Sequence, residues 1–165
     1  MRTATGPRGP HTALMTVLRI VITAALAIDA IIHLQLAANY QLAAPGGIGQ
    51  GNLFRIQAAT AILAGLYVLI RGSRASYAAA ALVALAAFTA VVLYRYLDIP
   101  AIGPIPAMYE PVWFFEKTLT AVTEGAAAIL AIIGFALQRP PRNPHRSQRA
   151  PLAARRNSRP REGTS

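Results

Sequence analysis

Asp29 and His33 stand one helical turn apart inside a long apolar run. At about 100° per residue their side chains project about 40° apart on a helix, and Arg19 falls about 40° from His33 on the other side. A carboxylate beside an imidazole is a proton-accepting pair, because imidazole titrates near neutral pH. A second polar set lies near the start of the last apolar run: Glu116, Lys117, Thr120, Thr123 and Glu124. Glu116, Thr120 and Thr123 share a stripe, and Glu124 lies one turn deeper, toward the Lys117 side. Arg55 and Gln57 open the second apolar run, and Tyr94, Arg95, Tyr96 and Asp98 close the third.

The elements that must position these groups are four apolar stretches, at about 13–38, 53–70, 76–97 and 112–137. Each approaches or exceeds the ~20 residues that carry a helix across a ~30 Å hydrocarbon core. None contains an internal proline. Backbone polar groups in lipid must be paired within the segment, so such stretches must be helical. The fold expected is all-α, a four-helix transmembrane bundle. It is preceded by an N-terminal tail, residues 1–12, and followed by an Arg/Pro-rich tail, residues 138–165. That second tail is too poor in apolar residues to bury a core and reads as disordered.

Charge sets the expected orientation. The chain is 55% hydrophobic and 13% charged, yet carries a net +10, so two unlike regions are being averaged. Both tails and the 71–74 connection hold twelve arginines against one acid, Glu162. The remainder holds Arg19, Arg55, Arg95 and Lys117 against Asp29, Asp98, Glu110, Glu116 and Glu124. The connections at 39–52 and 98–111 contain no Lys or Arg. Positive residues stay on the cytoplasmic side. Both termini are therefore expected in the cytoplasm of a bacterial cell, with the protein spanning the plasma membrane. A signal-peptide reading of Arg2, Arg8 and the 20–28 run competes with this, but the apolar run continues past Ala25-Leu26-Ala27 to Ala38.

This orientation gathers polar residues of four helices into the outer half: His33, Arg55, Gln57, Arg95, Asp98, Glu110, Glu116 and Lys117. Asp29 and Glu124 sit deeper, near mid-membrane. An ionisable group at that depth is expensive and usually functional. Two readings stand. In one, Arg55, Arg95, Glu116 and Lys117 reach back to the interface, Asp29 and His33 bond helices together, and the tyrosines and Trp113 form an interfacial belt. In the other, the cluster is a polar pocket open to the outside, in which Arg55 and Arg95 balance Glu116 and Asp98, and His33 with Asp29 leads inward.

Several chemistries are excluded. With no Cys, disulfide scaffolds, thiolate metal sites, Cys nucleophiles and cysteine-pair quinone chemistry are out. Gly47-Ile48-Gly49-Gln50-Gly51 follows no strand and opens no Lys-Ser/Thr sequence, so it reads as a flexible turn rather than a phosphate loop. The basic tail lacks interleaved aromatics and a folded reader motif, so nucleic acid is not an expected partner. Anionic lipid is a candidate partner for that tail. No metal and no cofactor are expected: a single intramembrane histidine offers haem at most one axial ligand per chain. No catalytic constellation emerges, and the reading leans away from an enzyme.

The 98–113 connection has four prolines before Trp113 and reads as a stiff segment across the outer mouth. Pro111 suits the first turn of the last helix, with Glu110 and Glu116 complementing the helix dipole.

Asp29-x-x-x-His33-Leu34, Gly51-Asn52-Leu53-Phe54-Arg55-x-Gln57 and Met108-Tyr109-Glu110-Pro111-x-Trp113-x-x-Glu116-Lys117 resemble uncharacterised four-helix membrane proteins of GC-rich actinobacteria. The layout is also similar to the DoxX-like group of small four-helix membrane proteins. The resemblance spans about 19–137 and implies no catalytic residues. Three functions remain open: a binding or accessory subunit with an outer pocket, alone or in a homo-oligomer or larger membrane complex; a proton-coupled transporter working as an oligomer, similar in layout to the small multidrug resistance exporters; and a haem- or quinone-associated redox subunit.

Overall fold

The computed structural model describes residues 10–43 and 48–138. The expectations for residues 1–9 and for the tail beyond Gln138 fall outside the described residues. Four helices make up the described chain: α1 Pro10–Ala43, α2 Gly49–Arg71, α3 Arg74–Tyr96 and α4 Phe115–Leu137. There is no strand among the described residues, only an isolated bridge between Ile102 and Ile105 in the α3–α4 connection. All four helices are long and apolar enough to cross a membrane. At 1.5 Å per residue α2, α3 and α4 are each about 35 Å long and α1 about 50 Å.

The helices pack as a closed ring, α1 against α2, α2 against α3, α3 against α4 and α4 against α1. Hereafter the proximal end is the one where α2 turns into α3, and the distal end is the one where α4 begins.

Residue size is inverted relative to a water-soluble bundle. The buried faces of α2, α3 and α4 are mostly alanine and glycine: Ala58, Ala61, Ala64 and Gly65 on α2, Ala80, Ala84 and Ala87 on α3, Ala127, Ala131 and Gly134 on α4. Large apolar residues point outward, among them Leu63 at 66%, Ile70 at 72% and Leu82 at 69% exposed. Small residues let helix backbones approach closely where a hydrophobic driving force between helices is absent. Helix α1 supplies the bulk instead: Met15, Leu18, Ile22 and Leu26 fill the alanine-lined space. At the α1–α2 crossing Gly65 lies against Thr23, whose hydroxyl donates to the Gly65 carbonyl at 3.1 Å.

The α2–α3 turn is tight. Gly72 adopts φ 51°, and its N–H bonds the Val68 carbonyl at 2.9 Å. That left-handed conformation favours glycine. Ser73 then caps α3, accepting from the Ser76 N–H at 3.2 Å. The Gly72 carbonyl accepts from Gln138 Nε2 at 2.8 Å and from Arg19 at 3.5 Å. One carbonyl therefore ties the proximal ends of α1 and α4 to the α2–α3 turn.

Two local expectations are corrected. Gly49 to Gly51 form the first turn of α2 rather than a flexible turn. Gly51 lies so close to the Ala37 carbonyl and Gln41 that a Cβ has no room. Glycine is thus used here for helix contact. Pro111 does not start α4, which begins at Phe115; Pro111 to Phe114 lie outside any helix, and Phe114 is extended. Glu116 does occupy the first turn of α4; Glu110 lies outside it and has another role.

Candidate functional site

Small side chains on α3 leave a space at the distal end that nothing fills. Ala86, Ala87 and Ala90 face the aromatic and aliphatic side chains of the other elements across a cavity of about 370 Å³. That volume lies in the range of small-molecule sites. Leu36 and Tyr40 of α1, Phe54 of α2, Tyr94 of α3 and Phe114 supply most of the wall, and Ile105 and Met108 of the α3–α4 connection close over it. Phe54 stacks edge-on between His33 and Tyr40, with ring centroids 5.4 and 5.0 Å away. The polar lining is sparse: His33, Gln50, Gln57, Glu110, Lys117 and Thr120.

The connection is held in place by a clamp. The Glu110 N–H donates to the Tyr94 carbonyl at 3.0 Å, and the Glu110 carbonyl accepts from Lys117 Nζ. Lys117 is only 9% exposed. It therefore turns into the bundle instead of reaching to the surface. A lysine buried at a helix start is expensive unless its donors are used, and here it pins the proline-rich segment to α4. Its ammonium also lies 5.9 Å from the Trp113 ring.

Behind His33, away from the chamber, lie two buried carboxylates. Asp29 and Glu124 are both 0% exposed and His33 is 6% exposed. His33 Nδ1 is 3.0 Å from the Asp29 carbonyl oxygen, one turn back. The same nitrogen is 3.0 Å from Asp29 Oδ1, yet that oxygen has no hydrogen-bond partner. The two observations agree if the N–H points at the carbonyl, so that Oδ1 is near but poorly aligned. Gln57 Nε2 donates to Asp29 Oδ2 at 3.3 Å. On the other side of the ring, His33 Nε2 faces Glu124 Oε1 at 4.0 Å. Neither oxygen of Glu124 has a hydrogen-bond partner.

The ten residues singled out in the sequence separate into three groups. His33, Gln57, Glu110 and Lys117 line the chamber. Asp29 and Glu124 lie buried behind it, Asp29 beside Gln57 and His33. Arg55, Arg95, Asp98 and Glu116 lie outside it. Arg55 is exposed and bonds Asn52 Oδ1 at 2.8 Å. The Arg95 guanidinium lies 5.0 Å from the Tyr96 ring and 5.8 Å from Trp113. Asp98 is exposed and Glu116 half-buried. The expected balance of Arg55 and Arg95 with Glu116 and Asp98 does not form: among the described residues no Lys or Arg lies within ion-pair distance of a carboxylate, and the basic side chain near Asp29 and Glu124 is the His33 imidazole. Sequence reasoning missed the apolar walls. Their one available signal was the run of small residues on α3, Ala86-Ala87 and Ala90, opposite aromatic partners.

The site and fold together define a four-helix protein with an apolar chamber at one end and a buried acid–imidazole–acid cluster behind it. No protein-family model, curated protein or solved structure matches this chain.

Proposed function

We propose that the chain is a multi-pass membrane protein that binds a small, largely apolar molecule with a polar head. The distal chamber carries this reading: apolar and aromatic walls with His33, Gln50, Gln57, Glu110, Lys117 and Thr120 as its few polar residues. Such a lining selects a ligand whose body is desolvated and whose head hydrogen-bonds at a few fixed points. Two observations support membrane insertion. On α2, α3 and α4 small residues pack inside while leucine and isoleucine face outward, and all four helices have spanning length.

The arginine distribution supports the orientation. Arg71 and Arg74 flank the proximal turn, and eight further arginines follow Gln138, so the proximal end and both termini face the cytoplasm. The chamber then lies in the outer half of the plasma membrane. It receives its ligand from the outer leaflet or the space beyond, either for the protein itself or for a complex it serves.

The test is native mass spectrometry of the protein released from lipid nanodiscs. Wild type is expected to carry a small-molecule adduct. Ala90→Trp, which fills the chamber from α3, is expected to lose it while keeping the helical circular dichroism of wild type. An adduct equally abundant in both proteins contradicts the reading, as does wild type that takes up no hydrophobic molecule.

A further inference from the structure

We propose that Asp29, His33 and Glu124 form a binding site for a divalent first-row transition cation, held by the two carboxylates and by His33 Nε2. The sequence alone assigned no metal, because nothing in it places Glu124 of α4 beside two residues of α1. In the folded chain one ligand atom from each residue lies within 4.8 Å of the other two, and all three residues are buried.

Four features point to a cation at this place. Both oxygens of Glu124 lack any hydrogen-bond partner although the side chain is 0% exposed, and buried polar atoms are rarely left so. The 4.0 Å separation of His33 Nε2 from Glu124 Oε1 is too long for a hydrogen bond but falls between the about 3.3 Å of two tetrahedral donors and the about 4.4 Å of two opposed donors on one metal with bonds of about 2.0–2.2 Å. The ring is already oriented: Nδ1–H donated to the Asp29 carbonyl leaves the Nε2 lone pair facing Glu124, the usual second-sphere arrangement of a metal-bound histidine. Gln57 likewise holds Asp29 by Oδ2 and leaves Oδ1 free.

Charge gives the fourth. No lysine or arginine among the described residues pairs with either carboxylate: Lys117 is committed to Glu110, Arg19 to Gly72, and Arg55 and Arg95 lie away from the cluster. Two carboxylates, a neutral imidazole and a divalent cation sum to zero, which suits a surrounding of low dielectric.

The donor set narrows the ion. One imidazole and two carboxylates, without thiolate, suit Mn²⁺, Fe²⁺, Co²⁺ or Zn²⁺ rather than Cu⁺, and the imidazole disfavours Ca²⁺ and Mg²⁺. Three protein ligands leave coordination positions for water or a ligand atom. His33 lines the chamber, which provides the access path that such a site needs. The site does not depend on what fills the chamber, and its test requires no chamber ligand.

The experiment is equilibrium dialysis of tag-free, chelator-stripped protein in detergent against Mn²⁺, Co²⁺ and Zn²⁺, read by elemental mass spectrometry. The visible spectrum of the Co²⁺ form reports nitrogen ligation. Wild type is expected to bind one ion per chain and to melt at a higher temperature with it. Glu124→Gln and His33→Ala are each expected to weaken binding by about tenfold or more and to lose the thermal shift. Gln57→Leu, which removes only the group holding Asp29, should weaken binding roughly tenfold. Wild type that is folded and monodisperse but binds no ion would overturn the proposal, leaving protons as the only cations at the cluster. Undiminished binding by both Glu124→Gln and His33→Ala overturns it as well, by placing the ion elsewhere on the chain.

Discussion

The proximal and distal halves of the bundle use the same four helices to opposite ends. In the proximal half, α1 contributes Leu18, Ile22 and Leu26 to a space lined by alanines, Val68 and Tyr77. The Tyr77 ring lies against Gly134 so closely that a Cβ there would have to displace it. In the distal half the alanines of α3 continue, but α1 no longer fills them: His33, Leu36 and Tyr40 stand back across the chamber. Polar groups are also placed differently. Proximally Arg19 and Gln138 join helix ends at one carbonyl, that of Gly72, although Arg19 Nε and the Tyr77 hydroxyl are themselves buried without a partner. Distally the carboxylates of Asp29 and Glu124 lie deep between helices with oxygens unpaired. Natural proteins give up stability where function needs an imperfectly satisfied site. On the function proposed above, the proximal half holds the fold and the distal half uses it.

Substitutions can break that contrast. The largest effect is expected for Tyr77→Ala, which leaves a void in the proximal core and should destabilise the protein by roughly 3 kcal/mol, read by chemical or thermal unfolding in detergent. A loss below half of that would mean the proximal half is not the tightly packed one. Glu124→Gln should move the other way. Glutamine keeps the shape of the buried side chain without an ionisable group, so the metal-free protein is expected to be unchanged or stabilised by up to about 2 kcal/mol, while ion binding falls. A thermal midpoint well below wild type would identify Glu124 as structural glue. Ala90→Trp should alter stability by less than about 1.5 kcal/mol because it grows into open space, where an equivalent increase in a packed core is more damaging. Arg55→Ala sits at the small end: Arg55 is exposed and, among the described residues, bonds Asn52 alone, so a change within about 0.5 kcal/mol is expected. A larger loss of ligand uptake from that variant would extend the site beyond the chamber.

Much of the architecture was legible in the order of the residues. Apolar runs of spanning length with Pro/Gly breaks announce four helices, and Asp29 with His33 one turn apart announce a shared face. The boundaries were less legible. Pro111 looks like a helix start, yet α4 begins only at Phe115, after a connection in which Glu110 is pinned between Tyr94 and Lys117. Local propensity has no knowledge of that clamp. Lys117 reads as an interfacial cation because lysines so often reach to water; its inward turn depends on a carbonyl seven residues away that only the folded connection presents. The pairing of Glu124 with His33 is a contact between α1 and α4, and helical periodicity orders residues within a helix, not between helices. Arg55, Arg95, Asp98 and Glu116 matched the site in level but not in direction, since a residue's depth follows from topology while its facing follows from packing.

The absence of cysteine permits a direct measurement of the contrast. Ala90→Cys in the chamber wall and Ala131→Cys in the proximal core each introduce one thiol into a chain that has none. Membranes displaying the protein are treated from the outside with a small, membrane-impermeant thiol reagent. The account predicts that Ala90→Cys is modified, that a hydrophobic occupant of the chamber protects it, and that Ala131→Cys reacts only after denaturation. Equal modification of both thiols, or modification of neither, would contradict it.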